Sequence, residues 1–371
     1  MSMYLCPICN FTTVHKKIFD NLPISSAILD YAPSHTQGTA IFDAAICDNC
    51  DHVSNSSTSR FEQVYSDDRY VVKTAVSGAM NKNIQSIAEF ISPQSFENCT
   101  VLEIASGSGE LANWLAEQGC SVTTIDPAID GYENKKIVHF SSNFDSAFVK
   151  ASKQRYDLVI GRHIIEHTDD PIRFLSMCSE LLTDTGRIYL EVPNLANTLS
   201  TNRYVDFFND HMQYFSENSM RLLASKVNLK PEKITFWLKE AHMGILLSQG
   251  TGYLCDMTTL NIKEQLDASE KKFLSLLADL NNFHNIVIYG AGAHACTFVS
   301  QLSEQLKSKV SHIFDKSAEK QGRFIPGLDV AITQPIIVDR SVLVNTSSLY
   351  QIEVEKYLRN ELGWVGPILH L

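Results

Sequence analysis

Three groups of side chains in this 371-residue chain have the types and spacing to do chemistry. The first is a pair of Cys-x-x-Cys knuckles, Cys6-Pro7-Ile8-Cys9 and Cys47-Asp48-Asn49-Cys50, with 37 residues between Cys9 and Cys47. Each knuckle sets two thiolates on one side of a tight loop, and two such loops complete a closed tetrahedral zinc site. Two unrelated thiol pairs, or one redox pair, would be the bland readings. Redox motifs usually open a helix after a strand, however, and neither knuckle has that setting. The expectation is structural zinc held by Cys6, Cys9, Cys47 and Cys50, with His15, His35 and His52 nearby as substitutes.

The second group surrounds a glycine turn, Glu103-Ile104-Ala105-Ser106-Gly107-Ser108-Gly109, which follows an apolar run and opens a helical pattern. Glycines there permit a tight turn and close backbone approach to a ligand. Asp126 ends the next apolar run, 19 residues after Gly107, where an acid can accept both hydroxyls of a ribose. Many glycine turns merely join strand to helix. The acid at Glu103, and the lack of a full Gly-x-Gly-x-x-Gly here, favour S-adenosylmethionine over a dinucleotide, because a sulfonium needs no pyrophosphate cradle. The third group is Glu166-His167, at the end of His163-Ile164-Ile165-Glu166-His167, which suits a structural pair at a helix start as well as a substrate contact.

The elements that must position these groups read as α/β. Short apolar runs alternate with helical patterns from Val101 onward: Val101–Ile104, Val122–Asp126, Tyr156–Ile160 and Arg187–Val192 as strands, Leu111–Gln118 as a helix stopped by Gly119. Thr183-Asp184-Thr185-Gly186 reads as a turn before the last of these strands. The first section is rich in Cys, Asn, Ser and Pro, has little periodicity, and ends in a loop at Asn55-Ser56-Ser57-Thr58-Ser59. A helical stretch at 261–280 leads into a restart: a strand at Ile286–Tyr289, a glycine turn, a helix, then Ser311–Asp315. The expected domains are a zinc-binding module at 1–75, a cofactor-binding core at 76–255, and a helical linker with a smaller Rossmann-like domain at 256–371.

Composition agrees with a soluble protein: 44% apolar and 20% charged residues. The net charge of −11 argues against nucleic acid, while an anionic small molecule remains compatible with a local helix N-terminus. The beginning of the chain shows no signal-peptide pattern, and no apolar run approaches the roughly 20 residues needed to span a bilayer. Nine cysteines without a secretory signal suggest reduced thiols and a cytoplasmic setting. Oligomeric state is left open.

Asp157-Leu158-Val159-Ile160-Gly161-Arg162-His163-Ile164-Ile165-Glu166-His167 resembles the fourth-strand motif of class I methyltransferases, and Thr183–Arg187 the turn before their fifth strand. The whole order resembles the zinc-containing sugar C-methyltransferases, which act on nucleotide-linked 4-keto-deoxy sugars. Three segments carry that resemblance: Phe207-Phe208-Asn209-Asp210-His211-Met212-Gln213-Tyr214-Phe215-Ser216, Tyr65-Ser66-Asp67-Asp68-Arg69-Tyr70, and Lys320-Gln321-Gly322-Arg323-Phe324-Ile325-Pro326-Gly327. It implies a class I methyltransferase Rossmann-like core between a zinc module and a smaller Rossmann-like domain. His211 is then the base, with Asp210 orienting its ring or holding a sugar hydroxyl, and Tyr70 or Tyr65 donates to an enolate oxygen. Tyr65, His167 and His242 would contact substrate. S-adenosylmethionine would sit on Glu103, Ala105, Ser106, Gly107, Gly109, Asp126, Pro127, Asn143 and His163.

Departures from the family pattern are Asp210 for a usual glutamate, Phe208 for a tyrosine, and Ala241-His242-Met243-Gly244 for a His-Gly-Gly stretch with a following arginine. His294 stands where a lysine is common, and the Trp-Asn pair is missing near Asn345-Thr346. Two other functions share these signals. One is an O- or N-methyltransferase on another glycan or metabolite. The other is a nucleotide-binding module or oxidoreductase, because Gly290-Ala291-Gly292-Ala293-His294-Ala295 fits Gly-x-Gly-x-x-Ala and Asp315 lies 23 residues beyond Gly292.

Overall fold

The computed structural model describes residues 4–30, 39–57, 78–91, 96–252 and 259–371. Three strands occupy the first section: β1 (Val14–Pro23), β2 (Thr39–Cys47) and β3 (His52–Asn55), paired as an antiparallel meander. Weak periodicity in the sequence hid them, because β2 is buried on both faces toward its end and β3 throughout. Asn55, expected in an exposed loop, is instead 1% exposed at the end of β3.

The core sheet contains β4 (Thr100–Ile104), β5 (Ser121–Ile125), β6 (Ile137–Phe140), β7 (Tyr156–Arg162) and β8 (Leu182–Pro193) in parallel. A two-residue strand, β9 (Gln213–Tyr214), leaves the core to pair with β3, so the first section's sheet is completed by the core's own chain. The hairpin of β10 (Leu229–Trp237) and β11 (His242–Gln249) closes the core sheet in the order β6-β5-β4-β7-β8-β11-β10, with β11 antiparallel to both neighbours. Buried strands of this kind read as runs of Val, Ile and Leu. The expected turn at Thr183–Gly186 lies inside β8, where the ladder with β7 shifts register between Tyr156 and Leu158. Gly186 is needed there: a Cβ would stand 2.7 Å from the Tyr156 carbonyl oxygen.

The third section is a second parallel sheet. It holds β12 (Ile286–Tyr289), β13 (Val310–Phe314), β14 (Ile332–Thr333), β15 (Val342–Asn345) and β16 (Ile368–His370), ordered β14-β13-β12-β15-β16. Its leading helix, Ile262–Leu280, packs Phe273 against Phe19 and Tyr204. One continuous apolar cluster runs from Phe19, Phe42 and Ile46 through Tyr204 and Phe207 to Ile286, Phe298 and Val344. The small first section therefore has no core of its own and shares one with its neighbours, as its size requires. Among the described residues no helix is long and apolar enough to cross a membrane.

Candidate functional site

The two knuckles converge. Cys6 and Cys50 Sγ are 3.6 Å apart, Cys9 and Cys47 3.4 Å, Cys47 and Cys50 3.6 Å, and the four sulfurs lie within 4.8 Å of one another. Four thiolates on one zinc at about 2.3 Å stand about 3.8 Å apart, so the donor set fits that ion. His15 and His52 are engaged elsewhere, with Asp43 at 2.9 Å and Gln213 at 2.8 Å. His35 lies outside the described residues.

The glycine turn sits at the C-terminal end of β4 and feeds the helix Glu110–Glu117. Gly107 and Gly109 have φ of 52° and 78°, and Ala105, at φ 55°, takes the same left-handed region without glycine's freedom. Asp126, 4% exposed, ties the end of β5 to this turn: Oδ2 accepts from the Gly107 N–H and Oδ1 from the Ala128 N–H, both at 2.9 Å. Nothing stands within 4 Å of a Cβ built on Gly107, so the turn is open on the side a ligand would approach. Burial pushes the Glu103 carboxyl up to about 7, and its Oε2 has no partner. These features fit S-adenosylmethionine, which Asp126 and the backbone of 105–109 could hold.

Pro127 and Asn143 are exposed beyond β5 and β6. Tyr132 was not found by sequence reasoning, because no motif marks it. Its hydroxyl donates to the Gly107 carbonyl at 2.7 Å and lies 2.7 Å from Ser106 Oγ, while its ring leaves no room for a Cβ on Gly109.

Beside the turn, at the ends of β7, β8 and β11, lies a buried polar cluster centred on Glu191, which is 1% exposed. Its Oε1 meets His163 Nε2 and His242 Nδ1, each at 3.2 Å, and its Oε2 accepts from Arg162 Nε and the Tyr189 hydroxyl, each at 3.1 Å. The other ring nitrogen of His163 faces Glu166 Oε1 at 3.2 Å. Burial would lower the His163 pKa, but the two bonded carboxylates outweigh it and raise it to about 9. Glu166 is held down to about 2, its desolvation outweighed by His163. Arg162 and Glu191 carried no motif of their own and were missed in the sequence.

The second polar cluster adjoins the first. Glu166, His167 and His211 offer ligand atoms within 4.8 Å of one another. His167 Nδ1 donates to the Asp210 carbonyl oxygen at 2.7 Å, and its ring meets that of His211 edge-on at 4.7 Å between centroids. Of the two roles expected of Asp210, a bond that orients the His211 ring through Nδ1 is not formed: Asp210 Oδ1 and His211 Nδ1 each lack a partner, as does Glu166 Oε2. Nor does His211 carry the near-neutral pKa expected of it. Burial, then the neighbouring His167, holds it down to about 4. Phe208 packs edge-on against the His211 ring at 5.1 Å and stacks on His294 at 5.8 Å. Ser216 caps the following helix, accepting from the Ser219 N–H at 3.1 Å. Tyr65 and Tyr70 lie outside the described residues.

The C-terminal glycine turn is arranged differently. Asp315 Oδ2 accepts from the Ala291 N–H at 2.9 Å and from Lys320 Nζ at 2.8 Å. Thr346 and Ser347 cover Gly290, where a Cβ would lie 2.5 Å from Ser347 Oγ. His294, on the helix that follows, reaches out of its own domain to Asp206 Oδ1 at 2.7 Å. Burial pushes the Asp206 pKa up, but His294 and Arg203 outweigh it and hold the carboxyl well below its usual range.

Comparison with known proteins bears on these two units separately. Residues 77–234 match a methyltransferase domain model, and residues 254–341 match a model for the C-methyltransferase C-terminal domain. The C-methyltransferase NovU of Streptomyces niveus is 29% identical over 136 residues, 35% of this chain and 32% of that protein. A ubiquinone biosynthesis O-methyltransferase of Hydrogenovibrio crunogenus is 30% identical over 128 residues, 32% of this chain and 52% of that protein. The chain thus spans about half or less of the length of these curated relatives. Among solved structures, the 1,6-didemethyltoxoflavin-N1-methyltransferase of Burkholderia thailandensis with bound S-adenosylhomocysteine aligns with a TM-score of 0.39 and 15% identity, covering 51% of this chain and 85% of that one. Residues 77–234 thus carry a methyltransferase domain, and the segment behind it is similar to the C-terminal domain of C-methyltransferases.

Proposed function

We propose that the chain transfers a methyl group to carbon, on a nucleotide-linked keto-deoxysugar or a similar keto substrate. The observation that carries this reading is the trio of buried, unpartnered polar atoms, Glu166 Oε2, Asp210 Oδ1 and His211 Nδ1, beside the glycine turn. Buried polar groups are nearly always satisfied, so such atoms call for a polar ligand. A sugar ring, with its hydroxyls and a carbonyl, supplies donors for the two carboxylates and a C–H for the imidazole. The match of residues 254–341 to a C-methyltransferase domain favours carbon over oxygen as the acceptor. Similarity to ubiquinone O-methyltransferases is confined to about a third of the chain.

When bound, S-adenosylmethionine supplies an electrophilic methyl on a positively charged sulfur. The chain's own work is to make a carbon nucleophile and aim it. His211 Nδ1 accepts the proton from the carbon next to the ketone, and the pair of electrons left behind delocalises onto the ketone oxygen. Tyr70 or Tyr65 is the proposed donor to that oxygen. Asp210 holds a sugar hydroxyl, and His167, fixed on the Asp210 carbonyl, sets the plane of His211. Because His211 titrates near 4, it is already neutral well below physiological pH, and methyl transfer should be insensitive to its protonation above about pH 5.

The four cysteines are proposed to hold one structural zinc that joins the two knuckles of the first section. The test of the function is incubation with methyl-labelled S-adenosylmethionine and a panel of nucleotide-linked 4-keto sugars, with the label located by mass spectrometry. Label on a carbon adjacent to the ketone is the expected outcome. Label on oxygen or nitrogen would overturn the reading.

A further inference from the structure

We propose that His163, Glu191 and His242 form a second metal site, separate from the four cysteines, that takes a divalent transition ion of the zinc type. Two imidazoles and one carboxylate are a donor set that such ions use when a coordination position is left open. The three ligand atoms lie within 4.8 Å of one another, and both nitrogens stand 3.2 Å from the same oxygen, Glu191 Oε1. Donors bound at about 2.0–2.1 Å around a tetrahedral ion stand about 3.3 Å apart, so the side chains need little movement to bind one.

The surroundings are those of a supported ligand set. Metal-binding histidines commonly give their second nitrogen to a carboxylate, which fixes the ring. Glu166 does this for His163, and Arg162 and Tyr189 hold the free oxygen of Glu191. Charge points the same way. A bound ion would take the place of the proton that His163 otherwise holds between Glu166 and Glu191, facing the same two buried carboxylates. The His163 and His242 side chains keep 26% and 18% of their surface exposed, so the set is reached by solvent on one side. Three strand ends, two of them from the parallel core and one from the antiparallel hairpin, are needed to assemble the set. The bound ion's free position would take water or a carbonyl oxygen of the substrate.

The test counts zinc in desalted protein from cells grown with added zinc, by elemental mass spectrometry, and does not depend on any methyl-transfer assay. Wild type should hold two equivalents, while His242→Ala, His163→Gln and Cys47→Ser should each hold one. One equivalent in wild type that Cys47→Ser loses, or two equivalents retained in His242→Ala, overturns the site. One equivalent that His242→Ala loses and Cys47→Ser keeps supports this site and removes the cysteine one. Should the histidine variants fail to fold, cobalt(II)-loaded wild type decides. Visible bands of an ion bound by nitrogen and oxygen, besides any thiolate charge-transfer bands, are expected, and thiolate bands alone overturn the proposal.

Discussion

The two Rossmann-like units use one device in opposite ways. In each, the acid at the end of the second strand accepts a backbone N–H of the glycine turn at 2.9 Å: Asp126 from Gly107, Asp315 from Ala291. The core's acid has only backbone partners, and its turn is open above Gly107. The C-terminal acid pairs with Lys320, and Thr346 and Ser347 cover its turn at Gly290, while Gly292 stands as open as Gly107. An acid–turn bond is thus a way to close the first two strands, and whether it also binds a ligand depends on what else meets the charge. The motif Gly-x-Gly-x-x-Ala with a well-spaced acid reads as dinucleotide binding in sequence, while in the folded unit Lys320 already meets that acid.

The comparison can be broken most decisively where the core claims its chemistry. His211→Asn should lower the rate of methyl transfer by roughly 10²–10⁴, the usual contribution of a positioned base, with S-adenosylmethionine affinity unchanged in calorimetry. A near wild-type rate would remove His211 from the mechanism. Next come the paired acids. Asp126→Ala should weaken S-adenosylmethionine binding by about 1.5–3 kcal/mol through lost charged hydrogen bonds. Asp315→Ala should leave that affinity intact and instead lower unfolding free energy by about 1–3 kcal/mol, because Lys320 and the Ala291 N–H lose their acceptor. Equal losses of cofactor binding in the two variants would show that the units do not divide the work this way.

A third expectation concerns the junction between them. The folded-state pKa of Asp206 is depressed, so folding favours its ionised form. That stabilisation is fully present above the unfolded value of about 4 and is lost as pH falls below it. Urea titrations of Asp206→Asn should show a shallower acid limb than wild type, and an unchanged limb would mean that the contact with His294 and Arg203 contributes little. The turns themselves come last, with the smallest effect at Ala105. Gly290→Ala should cost about 1–3 kcal/mol, since φ of 96° and the contact with Ser347 both oppose a Cβ. Ala105→Gly, which relieves a left-handed alanine, should stabilise by about 0.5–1 kcal/mol. A destabilised Ala105→Gly protein would mean that the alanine's packing outweighs its backbone strain.

Much was legible in the residues alone. The parallel core could be read because strands buried on both faces must be apolar, and because Gly107, Gly109 and Asp126 keep a spacing that only a strand–turn–helix–strand unit explains. The cysteine set was legible because a Cys-x-x-Cys loop makes half a tetrahedron locally, needing the fold only to bring the halves together. The sheet of the first section was not legible. Its fourth strand, β9, comes from residues 213–214, and its apolar side chains pack on the C-terminal unit, so no local period records it.

The polar centre shows the same divide most clearly. The family resemblance implied that Asp210 orients His211 or holds a sugar hydroxyl, and the fold leaves Asp210 Oδ1 and His211 Nδ1 without partners while His167 bonds the Asp210 carbonyl. His163 follows β7 while Glu191 and His242 lie on β8 and β11, and only the order β7-β8-β11 sets them around one oxygen. The lowered pKa of His211 follows from burial and then from His167, a neighbour distant in sequence. Residue types and short spacings determined which chemistry this chain can do. Which groups face a ligand and which are spent on the scaffold was decided by tertiary packing, because partnering, burial and charge balance are properties of neighbours in space.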